Sequence, residues 1–204
     1  MNVLIIPEDF RNDQYILRPL IRSVLASAGK PNANVRVLTD PLVGGVDKAL
    51  DLAFLQNEVL PLYRQVDLFL LIVDRDGQAN RRAALLNLER QLCFFLGADR
   101  CLLAEAAIEE IEVWALAAEP LPWAWADVRS ENHPKETYFE PFAKSQRIDE
   151  EPGGGRDTLG KKAASNLRRV RQLCPELNSL AIRVENFCDG QGCVNGPYQI
   201  PPVP

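Results

Sequence analysis

The chain has 204 residues, 47% hydrophobic and 25% charged, with a formal net charge of −5. This is the composition of a globular protein built as one domain or one embellished domain, with enough apolar residues for a core. It excludes a surface coated with basic charge for nucleic acid, and no apolar run reaches the roughly 18 residues that span a bilayer, so no membrane association is expected.

Residues 3–6 read as a short buried strand that runs into Pro7-Glu8-Asp9 without a basic n-region. This is a first strand and not a signal peptide, and a cytoplasmic location is expected. A helix over residues 13–28 follows, with Ile16, Leu17, Leu20, Ile21, Val24 and Leu25 at helical spacing and Gly29-Lys30-Pro31 as its stop. Residues 35–38 form a second strand, and Asp47 N-caps a helix running to about residue 62. The most apolar strand, 66–73, precedes a helix over 79–96 with Leu85, Leu88, Leu92 and Phe95 on its buried stripe. A fourth strand over 101–104 leads to a helix over about 108–118. The alternation predicts an α/β fold, Rossmann-like, with a mostly parallel sheet flanked by helices.

Residues 1–118 form this core. Residues 119–156 are an aromatic- and proline-rich cover that includes Trp123, Trp125, Tyr138, Phe139 and Phe142; its aromatic content favours a folded segment over a linker. Residues 157–185 are a helical C-terminal extension, with one helix over 157–173 carrying the basic residues and a shorter one after Pro175. Residues 186–204 are an extended tail. The odd count of five cysteines is not a disulfide framework. Cys93 and Cys101 sit in apolar contexts as core thiols. The loose spacing of Cys174, Cys188, Cys193 and the single His133 departs from the tight pairs of structural zinc sites.

Chemistry concentrates on acids. The strand over 66–73 stops at Asp74-Arg75-Asp76-Gly77, and the carboxyl ends of such strands form the lip where open α/β sheets bind ligands. Two carboxylates there repel unless a cation or proton lies between them, which points to Mg²⁺ or Mn²⁺. If the first strand is central, Glu8 joins them, with Asp13 one helical turn on. Glu109 and Glu112 share a face of the helix after the fourth strand. Structural roles compete: Asp-x-Asp-Gly is also a turn sequence, and acids favour helix N-termini through the macrodipole. The rival motifs fail. Gly77 and Leu85 do not fit an EF-hand, no Walker A or Gly-x-Gly-x-x-Gly is present, and His133 in a proline-rich loop does not suggest a catalytic triad.

A strand-end Glu8 followed by an apolar strand ending in Asp74-x-Asp76 resembles the Toprim domain of topoisomerases, bacterial primases, ribosomal-RNA maturases and overcoming-lysogenization-defect nucleases. Ile111-Glu112-Val113-Trp114-Ala115-Leu116-Ala117 looks like the Glu-x-Glu-x-Trp-Leu-Leu-Ala signature of a Toprim-like family associated with ATPases in phage or plasmid defence. Gly154-Gly155-Arg156, Asn166-Leu167-Arg168 and Cys174-Pro175-Glu176-Leu177 look like that family's C-terminal part. The resemblance implies a Mg²⁺- or Mn²⁺-dependent nuclease. Glu8 would be its acid/base or metal ligand, Asp74 and Asp76 its metal-holding pair, Asp13 a second acid, and Glu112 with Glu109 its second acidic motif. Lys161 or Lys162 would be the basic group at the transition-state phosphate, with Arg168 and Arg171 gripping phosphate from overlapping faces of the same helix. Asp9 departs from the glycine that usually follows the Toprim glutamate. Expected partners are nucleic acid, an ATPase and further copies of the chain in a homo-oligomer. Two alternatives share these residues: a non-catalytic Toprim-like module that regulates a partner ATPase, and a phosphatase or phosphotransferase acting on small molecules.

Overall fold

Successive side chains of a strand point to opposite faces of its sheet, and in this chain both faces are buried. The structure, a computed structural model, describes residues 1–97 and 99–193. Along β1 (Asn2–Pro7), Val3 and Ile5 enter one core while Leu4 and Ile6 enter the other. Along β3 (Leu68–Asp74), Leu68, Leu70 and Ile72 join the first core, and Phe69, Leu71 and Val73 the second. Together with β2 (Asn34–Val37) and β4 (Cys101–Ala107) they form one parallel sheet in the order β2-β1-β3-β4. The predicted α/β, Rossmann-like architecture is therefore present, and all four strands are parallel.

Helix α1 (Phe10–Ser27) covers the first face, with Ile16, Leu17, Leu20, Ile21, Val24 and Leu25 inward. Its N-terminus is fixed by Asp9, whose carboxylate accepts the Arg11 N–H at 2.9 Å. Helix α4 (Arg81–Leu96) covers the second face through Leu85, Leu88, Leu92 and Leu96. The expected helix over 47–62 is broken instead into α2 (Val46–Ala49), α3 (Leu52–Phe54) and a π-helical turn, Leu55–Val59. Asp51 restarts the helix by accepting the Ala53 and Phe54 N–H groups at 2.8 and 3.3 Å, a local bond that competes with helix continuation.

The helix expected from residue 108 starts later. Strand pairing continues to the Asp74↔Ala107 partners, so residues 105–107 belong to β4, and α5 spans Glu112–Leu116. The cover contains α6 (Trp125–Ser130), a π-helical turn, Lys135–Phe139, and α7 (Glu140–Ser145). Its rings pack inward: Trp123 stacks edge-on against Tyr138 and Phe142, and Phe139 is fully buried. The single helix expected over 157–173 breaks at Asn166 (φ −115°, ψ 36°) into α8 (Arg156–Ser165) and α9 (Leu167–Leu173). The last helix, α10 (Pro175–Cys188), is longer than expected because Leu177, Leu180, Ala181 and Val184 give it a buried face.

Cys101 is not a free thiol: it is bonded to Cys193, joining the first residue of β4 to the segment after α10. A sequence separation of 92 carries no signal for that contact. Cys93, Cys174 and Cys188 are free. Residues 194–204 of the expected tail lie outside the described residues. None of the described helices is long and apolar enough to cross a membrane.

Gly160 of α8 packs directly against the backbone of α1. A Cβ at position 160 would lie 2.4 Å from the Tyr15 carbonyl oxygen and 2.9 Å from the Ile16 Cα. Neither backbone atom can move without shifting α1. Gly160→Ala is expected to destabilise the protein by about 2–3 kcal/mol by overpacking, read as a lower urea midpoint.

Candidate metal centre

The order β2-β1-β3-β4 fixes where a ligand can enter. The chain leaves β1 toward β2 on one side and β3 toward β4 on the other, so the topological switch point lies between the carboxyl ends of β1 and β3. Pro7 pairs with Ile72, which places Glu8 and Asp74 at adjacent strand ends. Asp13 lies in the first turn of α1, buried, with its carboxylate accepting the Asp9 N–H at 3.0 Å. Glu112 opens α5, also buried.

These four acids share one electrostatic environment. Burial pushes the Asp74 carboxyl well above its usual value, and the charges of Glu112, Asp13 and Glu8 add to that. Burial likewise pushes Asp13 up to about 8, with Glu112, Asp9 and Glu8 contributing. Glu8 is raised by burial first and by Asp76 second; Arg81 and the backbone near Asp74 and Val46 pull it down. The Glu8 Oε2 atom is buried and has no hydrogen-bond partner. Asp74 spends one oxygen on the Ile111 N–H at 2.8 Å. A buried carboxylate oxygen without a partner, beside carboxyls that burial keeps from ionising, is an oxygen donor set whose chemistry would fit a hard divalent cation.

The remaining predicted residues take different positions. Asp76 (φ 49°) and Gly77 (φ 68°) form a left-handed turn just past β3, with Asp76 exposed and 3.9 Å from the Arg81 guanidinium. Glu109 holds that turn. Its carbonyl accepts the Arg75 and Asp76 N–H groups at 2.8 and 3.3 Å, and its carboxylate accepts the Gly77 N–H at 2.6 Å and pairs with Arg75. Its carboxylate is therefore already used. Lys161 pairs with Asp157 on the surface, and Lys162 pairs with Glu119. Arg171 pairs with Glu185, and with Arg168 it lines a groove of about 830 Å³ beside Ser23 and Ser27. Ser23 and Ser27 lie in the last turns of α1 and Asp13 in its first, so at 1.5 Å per residue this groove lies roughly 15–20 Å from Asp13 along the helix. The helix break at Asn166 removes the common face that these four cations were expected to share.

Two arginines that the motifs did not assign stand at the site. Arg156 donates from Nε to Glu112 Oε1 at 2.8 Å and from Nη1 to the Gly153 carbonyl at 2.7 Å. A second guanidinium nitrogen, Nη2, also bonds Glu112 Oε1. Arg81, at the start of α4, faces Glu8 and Asp76, and its Nε is buried without a partner. The strand-end acids are spread too widely for three of them to bring ligand atoms within 4.8 Å of one another.

Fold and site together define a class, an α/β protein with a carboxylate centre at the switch point of a parallel sheet. No protein-family model matches the chain, and neither a curated protein nor a solved structure gives a match.

Proposed function

We propose that the chain is a Mg²⁺- or Mn²⁺-dependent nuclease of Toprim type that hydrolyses phosphodiester bonds at the β1/β3 switch point. The observation that carries this reading is the placement of Glu8, Asp13 and Asp74 around one lip, with raised carboxyl pKa values and an unpartnered Glu8 oxygen. A bound divalent ion would supply charge stabilisation of the transferring phosphoryl group and of the leaving oxygen. Asp74 would hold it, kept in orientation by the Ile111 N–H, and Glu8 would serve as second ligand or as the proton acceptor for the attacking water. Arg81 replaces Lys161 and Lys162 as the cation for phosphate oxygens, because it alone of the three faces Glu8. The inward packing of Trp123, Tyr138 and Phe142 supports a structural cover over an aromatic docking surface for an ATPase.

The test is cleavage of single- and double-stranded DNA and RNA with Mn²⁺ by wild type, Asp74→Ala and Arg81→Ala. Loss of a metal ligand is expected to reduce the rate by at least about 10³-fold, and loss of Arg81 by about 10²-fold. Equal cleavage by wild type and Asp74→Ala overturns the proposal.

A further inference from the structure

The tightest grouping of metal-ligating side chains in the described structure lies outside the switch point. Glu110, His133 and Glu136 each offer a ligand atom, and the three atoms lie within 4.8 Å of one another. They come from two separate segments: Glu110 from the turn between β4 and α5, and His133 and Glu136 from just before and within the cover's π-helical turn. Glu110 is already fastened across the gap, with its Oε2 accepting the Lys135 N–H at 2.6 Å. His133 is the chain's only histidine, and no described residue bonds its imidazole. Pro134, buried between the two cover residues that matter, fixes where they leave the backbone.

Donor chemistry sets this group apart from the strand-end acids. An imidazole with two carboxylates suits a borderline ion such as Zn²⁺, whereas an all-oxygen set suits Mg²⁺. Ligand atoms around tetrahedral Zn²⁺ lie roughly 3.4 Å apart, so small side-chain rotations close the present spacing, and a water completes the fourth position.

We propose that Glu110, His133 and Glu136 bind one Zn²⁺ ion that clamps the cover to the β4–α5 turn. The turn carries the parts that shape the switch point: Glu109, which holds the Asp74–Gly77 turn; the Ile111 N–H, which holds Asp74; and Glu112. Three protein ligands bridge the two segments and leave one position for water. The clamp does not rest on the nuclease reading.

A chain with one histidine gives one set of imidazole proton resonances, so NMR reads this site without interference from other histidines. The imidazole is followed against free Zn²⁺ set by a weak chelator. A saturable shift is expected in wild type, insensitive to excess Mg²⁺. It should weaken by about tenfold or more in Glu110→Gln with Glu136→Gln. An imidazole that does not respond overturns the clamp, as does an unchanged affinity in the double variant, which would mean an adventitious lone-histidine contact. Loss of the response in Asp74→Ala also overturns it, by locating the ion at the strand ends.

Discussion

Replacing Arg156 with glutamine is expected to destabilise the protein by about 3–5 kcal/mol, the usual result of leaving one member of a buried ion pair behind. Arg156 and Glu112 are 7% and 5% exposed, so neither charge can turn to water. Arg156 also lies over the Phe139 ring at 5.1 Å and bonds the Gly153 carbonyl, so its loss loosens the cover as well. For a domain of this size the thermal midpoint should fall by roughly 10 °C. Arg156→Met combined with Glu112→Leu removes both charges and should recover most of the loss, because an apolar pair needs no desolvation. Urea unfolding of the two variants decides the matter: equal midpoints would show that the pair is not coupled. Mn²⁺ should also stabilise Arg156→Gln more than wild type, since Glu112 is then free to face the cation.

That arginine shows where sequence reading reached and where it stopped. The resemblance picked out Gly154-Gly155-Arg156 and Glu112 in separate motifs, and folding joins them: the positive φ angles of Gly153, Gly154 and Gly155 turn the chain so that Arg156 enters α8 pointing at Glu112. The four strands and the α1 and α4 stripes were legible because burial on both sheet faces leaves apolar runs and helical spacing. Glu8 and Asp74 were legible because their place follows from topology alone. Spacing did not show that the Glu109 carboxylate serves a backbone N–H 32 residues away. That Lys161 and Lys162 pair with Asp157 and Glu119 was not legible, because a cation's partner is a tertiary fact. The break at Asn166 and the Cys101–Cys193 bond depend likewise on packing that no local pattern encodes.

The same cluster makes stability depend on pH in a direction opposite to ordinary acid denaturation. Asp13 is raised by burial from 3.8 to about 8, and Asp74 and Glu8 are raised too. Between the unfolded and folded pKa values the native state holds more protons than the unfolded chain, so stability falls as pH rises. For Asp13 the contribution is complete below about pH 4 and is lost by about pH 8, on the order of a few kcal/mol. Buried Glu105, raised to about 7, acts in the same sense, so Asp13→Asn should flatten the dependence only in part. On the proposed reading, a divalent cation at the switch point would take the place of these protons. Thermal midpoints in EDTA should therefore decline from about pH 5 to about pH 8, and Mn²⁺ should raise them most at the alkaline end. Calorimetric titration with Mn²⁺ near neutral pH should release about one proton or more per ion, seen as a heat that varies with the buffer's ionisation enthalpy. Mn²⁺ stabilisation of equal size at both ends of that range would mean that the ion does not compete with these protons, and would remove the switch-point carboxylates as its site.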